Sequence, residues 1–355
     1  MRRAFLVLLA AFAISWGFPL HAEATPPALL SQTGLYSDIA TKSVATENLP
    51  YEPQYPLWSD GAEKQRWLYL PPGTKINNGR PGAHPPAHMG NMDYWIFPVG
   101  TKIWKEFTWP RLNGSGWHRV ETRFAWKAAE GNWQFATYVW DDNETDAKIA
   151  PVGGLKDIYP IEDHQTHDIP AQADCITCHN RGGDMVLGID PLQLSEDRDP
   201  MALHAVTPAA GSLTLRRLAE MARLTDYPTE WSTTPLAIKA STPEGRAAMG
   251  YLHGNCGNCH NPNGTAAHSW LYFRYSADTT DEQSSSVFVS AINRMSAVIQ
   301  IPGQAVTLQI KPGAPDESAV IYAMENPGQH HMPPIGSKII DEQAVALIRY
   351  WIQQM

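Results

Sequence analysis

The chain has 355 residues, 43% of them hydrophobic and 18% charged, a balance that supports packed cores and excludes an intrinsically disordered protein. Its 36 acidic against 27 basic side chains give a formal charge of −9, which argues against nucleic acid as a partner and suits a redox partner protein with a basic docking surface. At this length two or three domains are expected, because single cores stop growing at roughly 250–300 residues.

The first element is a leader. Arg2 and Arg3 precede an apolar run from Ala4 to Phe18, and small residues close it at Ala22-Glu23-Ala24. This pattern predicts a cleaved secretory signal over residues 1–24 and a periplasmic or otherwise exported mature protein. The run falls short of the roughly 20 apolar residues a spanning helix needs, and no later segment supplies them, so no membrane span is expected after cleavage.

Residues 25–161 read as a Trp/Tyr-rich β domain. "RWLYL" stops at Pro71, "YWIF" stops at Pro98, "VETRFAW" places Val120, Thr122, Phe124 and Trp126 on one face, and "WQFATYVW" alternates in the same way. An antiparallel sandwich or barrel-like domain is expected, its aromatics filling core and interdomain contacts before any substrate cleft. Within it, "HPPAHMGNM" offers His84, His88, Met89 and Met92 as soft ligands for copper, although its Gly and Pro content also marks a plain loop. "DDNETD", Asp141 to Asp146, has oxygen ligands for calcium but not the spacing of an EF-hand loop, so an acidic turn is the stronger reading.

Residues 162–240 carry the first of two matching motifs, Cys175-x-x-Cys178-His179, and the second is Cys256-x-x-Cys259-His260; together they use all 4 cysteines. Two disulfides are the ordinary choice for an exported chain, but neither a bridge nor zinc explains a histidine fixed after each pair. Paired zinc motifs also lie roughly 15–20 residues apart, far closer than these. Covalent haem explains every position: two thioethers anchor the porphyrin, and the following imidazole becomes the proximal iron ligand. Cys175, Cys178, Cys256 and Cys259 are therefore expected to hold two haem c groups, with His179 and His260 on the irons.

No apolar period of 3.6 leads into Cys175, so the first haem is not expected to have a cytochrome fold of its own. Downstream, "SLTLRRLAEMARL" predicts a capped amphipathic helix from Ser212. Met201, His204, Met221, Met249, His164 and His167 all compete for the distal side of this first iron. If none binds, the iron is open.

Residues 241–355 begin with a helix start at Ser241-Thr242-Pro243-Glu244 and continue through Ala247, Ala248 and Gly250, small enough for close helix crossing. Asp341 caps a last helix with Val345, Ile348, Trp351 and Ile352 on one side. Between them "GQHHMPPIGSKI" sets Met332 in a Pro-braced loop, the expected distal ligand of the second haem, with His330 and His331 as competitors.

This segment resembles a class I c-type cytochrome. More of the chain, including "YPLWSDGAEKQRWLYLPPGTKI", "YWIFPVGTKIWKEF" and "YLHGNCGNCHNPNG", is similar to a little-characterised bacterial family that joins a Trp-rich β region to paired haem-c motifs. The resemblance implies exported dihaem proteins and no firm reaction. The expected fold class is α+β and multi-domain: an N-terminal antiparallel β sandwich or barrel, then a mainly α-helical cytochrome c domain over 241–355. Two functions compete, a single-electron carrier and a dihaem peroxidase or substrate oxidase. No P-loop, dinucleotide fingerprint or serine-nucleophile elbow occurs.

Overall fold

The computed structural model describes residues 25–78, 94–162, 164–179, 184, 186–225, 227–326, 328 and 330–355. The leader and the His84, His88, Met89 and Met92 segment lie outside them. A short antiparallel pair, β1 (Tyr36–Asp38) and β2 (Ser43–Val44), precedes the main sheet. That sheet is one antiparallel meander of six strands in sequence order: β3 (Leu49–Pro50), β4 (Glu63–Tyr69), β5 (Lys102–Pro110), β6 (Trp117–Ala129), β7 (Asn132–Trp140) and β8 (Ala147–Ile149). A hairpin of β9 (Leu155–Pro160) and β10 (Thr166–Ile169) follows it.

The two-residue period of the strands gives the sheet two different faces. On one, Trp67, Trp104, Phe124 and Tyr138 pack against Leu30, Leu35 and Tyr36 of the N-terminal segment. Trp104 stacks on Phe124 at 5.5 Å and donates its indole N–H to Thr33 at 3.0 Å, so its one polar atom is satisfied inside the core. On the other face, Leu68, Ile103, Ala125 and Phe135 join a cluster that extends through Leu213, Leu224 and Leu252 to Ile348 and Ile352. A bulge alters the expected alternation. The register shifts between Phe107 and Thr108, leaving Val120 unpaired, and Val120 packs with Phe107 and Trp109 rather than with Phe124.

Among the described residues six helices follow: α1 (Gln172–His179), α2 (Leu215–Glu220), α3 (Pro243–Asn255), α4 (Ser286–Ser290), α5 (Ala319–Glu325) and α6 (Glu342–Gln353). Thr242 caps α3, accepting from the Gly245 amide, with Pro243 in the first turn; Asp341 caps α6 through the Ala344 amide. The cap of α2 is Thr214, two residues later than expected.

The expected fold class is overturned. One side of the six-stranded sheet is covered by the N-terminal segment with its small β1–β2 pair, not by a sheet of comparable size among the described residues, and the other by the C-terminal half. The C-terminal region is not mainly helical either: α3, α4, α5 and α6 have 13, 5, 7 and 12 residues, and isolated bridges such as Ile292–Ile310 and Met295–Leu308 tie the loops between them. Strand outweighs helix, 23% to 21%. The physical reason lies in the stretch from "HNPNGT" to "IPGQAV", whose Gly, Pro and Asn interrupt any helical period. Among the described residues, no helix is long and apolar enough to cross a membrane.

One strap joins sheet and helices. Tyr55 to Asp60, the "YPLWSD" stretch, lies along α3, and its ring fills the space that a side chain at Gly250 would need: a Cβ there would sit 2.0 Å from Tyr55 Cε1. Asn255 donates to Pro56 O at 3.2 Å and accepts from the Trp58 amide at 2.6 Å. Asp60 then accepts from the amides of Lys338 and Ile339 at 2.7 and 2.8 Å, fixing the loop that follows Met332. Gly250 thus receives the β region, while helix crossing falls to Gly245, where a Cβ would lie 3.1 Å from the Trp351 indole nitrogen.

Gly250→Ala should destabilise the protein by about 1–3 kcal/mol through overpacking, read as a lower urea midpoint. Combined with Tyr55→Leu, the loss should be smaller than the sum of the two single losses; strict additivity would show that ring and helix do not share the space.

Candidate haem-attachment site

The first motif is itself helical. α1 starts where Asp174 accepts from the Ala171 amide at 2.9 Å, and Gln172 donates to Phe135 O at 2.9 Å, pinning the helix to β7. Helical spacing of three places Cys175 and Cys178 on one face. His179, at the last turn, rests 4.9 Å from the Phe135 ring.

The second motif leaves the end of α3 in a tight turn. The His260 amide donates to Cys256 O at 2.9 Å, Asn258 donates to Gly254 O at 3.0 Å, and Asn261 donates to Gly257 O at 2.9 Å. Gly257, between the two cysteines, is required by close approach: a Cβ would meet the Arg274 backbone at 2.9 Å. Arg274 in turn donates to buried Asp190 at 3.2 Å, and His253 Nε2 lies 3.4 Å from the same oxygen. Because His253 Nδ1 accepts from the Tyr275 amide at 3.0 Å, its proton is on Nε2.

The fold brings the two motifs together. The thiols of Cys178 and Cys259 lie close enough to shift each other, Cys259 Sγ lies 3.8 Å from Thr177 O, and the Thr265 hydroxyl donates to that same carbonyl at 3.0 Å. The neighbouring Cys178 holds the Cys259 thiol below the usual thiol range against the opposing effect of burial, and Cys178 is itself pushed well above that range. Burial, reinforced by the charge of Cys259, raises Cys256 to about 12; burial also raises Cys175, opposed by the Arg123 guanidinium. His260 is lowered by burial, with a backbone hydrogen bond at Leu271 working against it. Its Nδ1 lies 3.4 Å from the Ser269 hydroxyl and its ring 5.7 Å from Phe273, which holds the imidazole in place.

A cavity of about 150 Å³ opens beside α1, lined by Cys175, Cys178 and His179, by apolar Ile103, Phe135 and Val186, and by Ile335 and Gly336 of the loop that carries Met332. Met332 itself is half-buried, with its amide donating to Ala323 O at 3.0 Å. The polar contacts of His260 come from its own segment, and those of Met332 from α5. Both ring nitrogens of the neighbouring His331 are buried with no hydrogen-bond partner, an orphaned imidazole of the kind a metal would satisfy.

The distal candidates for the first iron are placed elsewhere. His204 pairs with Asp341 at 2.8 Å, His167 pairs with Glu121 at 3.1 Å, and Met249 is fully buried in the core. Met201, Met221 and His164 are exposed. Among the described residues that line the cavity, His179 is the one imidazole and none is a methionine. In the acidic turn, Asp141 accepts from the amides of Thr145 and Asp146 at 2.9 and 3.3 Å, so its carboxylate already serves the turn. Among the described residues, no group of three or more His, Cys, Asp or Glu side chains is arranged to hold a metal ion.

Paired thiols next to an imidazole, a partly apolar cavity wall and an orphaned histidine fit the chemistry of covalent haem. No family model, curated protein or solved structure matches the chain.

The residues that sequence reasoning missed are the buried polar ones, above all Asp190, His253 and Arg274. Asp190→Ala removes the buried carboxylate that Arg274 and His253 share and should cost about 3–5 kcal/mol of stability in chemical denaturation; an unchanged midpoint would show that the network carries no such weight.

Proposed function

We propose that the protein is an exported dihaem c-type cytochrome that passes single electrons. The observation that carries this reading is the contact between the two Cys-x-x-Cys-His motifs at Cys178, Cys259 and Thr177. Cys175 and Cys178 would hold one haem with His179 as proximal ligand, and Cys256 and Cys259 the other with His260. Bound haem supplies reversible one-electron chemistry. The chain holds the two attachment sites side by side, orients His260 through Ser269 and Leu271, and ties the Met332 loop down through Asp60. Methionine opposite His260 would raise that haem's potential; His331 in its place would lower it.

A second reading is a dihaem peroxidase or substrate oxidase, favoured by the cavity that opens beside Cys175, Cys178 and His179. The ferric absorption spectrum of protein matured in a haem c-attaching host separates the two. Two low-spin haems support the carrier, one high-spin haem supports the oxidoreductase, and absence of haem overturns both.

Met332→Ala should lower the potential of one haem and abolish any thioether–iron charge-transfer band, while His331→Ala leaves both unchanged. The reverse pattern would assign His331 as the ligand.

A further inference from the structure

A row of cations faces the first motif's cavity. Arg66, Lys105 and Arg123 occupy directly paired positions on β4, β5 and β6, so their side chains project from the same face of the sheet. All three line the cavity with Cys175, Cys178 and His179. In a chain of net charge −9, such a concentration of positive charge at one place calls for a reason.

The carboxylates nearby do not balance it. Arg66 has Glu52 at 2.8 Å, and Arg123 has Glu121 at 2.6 Å. Lys105 feels the charge of both Glu52 and Glu121 but forms a close ion pair with neither among the described residues; its ammonium lies 4.7 Å over the Phe107 ring. Lys64, two residues before Arg66 on β4, adds a fourth positive charge nearby. Burial and the neighbouring Arg66, Lys64 and Arg123 push the Lys105 ammonium well below the ordinary lysine range, with Glu121 opposing them only in part. A sunken, unpaired ammonium costs stability and is accounted for when an anion completes it.

We propose that Arg66, Lys105 and Arg123 form a carboxylate-binding row in the wall of this cavity. Guanidinium forks match carboxylate geometry, and the apolar Ile103, Ala125 and Phe135 beside them suit a ligand with an apolar body and an acidic end. Two sources have this chemistry: a propionate of the haem held at Cys175 and Cys178, or a free aromatic or aliphatic carboxylate. The first source rests on the haem reading, and the second does not.

The test uses the full chain matured with haem c attachment, haem content being measured first by the alkaline pyridine spectrum. Three proteins are compared, wild type, Lys105→Gln and Lys105→Arg, by redox titration of each haem and by titration with benzoate followed through tryptophan fluorescence. If a propionate occupies the row, Lys105→Gln shifts the potential of one haem downward and leaves the other in place. Lys105→Arg then restores it, and benzoate does not bind. If the row takes a free carboxylate, benzoate binds wild type saturably and Lys105→Gln weakens it by about 10–100-fold, the loss of one charged hydrogen bond. Unchanged potentials together with no benzoate binding would overturn the proposal. Lack of haem would sink the haem reading alone, since benzoate binding to the same chain still decides whether the row takes carboxylates.

Discussion

The packing of the Tyr55–Asp60 strap against α3 is the constraint on which the site depends. The strap's ring and backbone occupy the groove left by Gly250 and Gly254, and its two ends are tied by Asn255 on one side and by the Lys338 and Ile339 amides on the other. The second motif leaves α3 at Cys256, directly after the residue that holds the strap. Sheet, second motif and Met332 loop are therefore referenced to one short segment, and a change at Gly250 reaches all three.

The two sides of the sheet divide the work. One side is a conventional aromatic core, in which Trp104, Phe124 and Tyr138 find apolar neighbours and their polar atoms find partners. The other side mixes apolar residues with charge: Arg66, Lys105 and Arg123 stand in register between Leu68, Ile103 and Ala125. Burying charge on a sheet face is costly unless the charges meet partners, and here Glu52 and Glu121 form close ion pairs with the two arginines and lie further from Lys105. That asymmetry sets the cavity side apart from the aromatic side.

The sequence discloses local features well. The Thr242-Pro243 start of α3, the Asp341 cap of α6 and the buried stripe Val345, Ile348, Trp351 and Ile352 follow from caps and period, because those signals act within one or two turns. The strands were legible in the same way, but not the sheet they form: alternation shows that a strand has two faces, without showing whether a second sheet or an irregular segment covers one of them. A bulge at Val120 likewise leaves no trace in composition. Nor does spacing disclose that Thr177 and Cys259, 82 residues apart, touch, or that Asp190 serves Arg274 and His253. The charged residues alternating through "EKQRW" and "KIWKEF" were the available sign of a polar inner face, and read alone they look like a solvated edge.

The most direct measurement is mass spectrometry of the exported protein, intact and after digestion. The account predicts one haem on the peptide containing Cys175 and Cys178 and one on the peptide containing Cys256 and Cys259. Haem-free peptides, with Cys178 joined to Cys259 by a disulfide, would contradict it and make the contact between the motifs a structural cross-link.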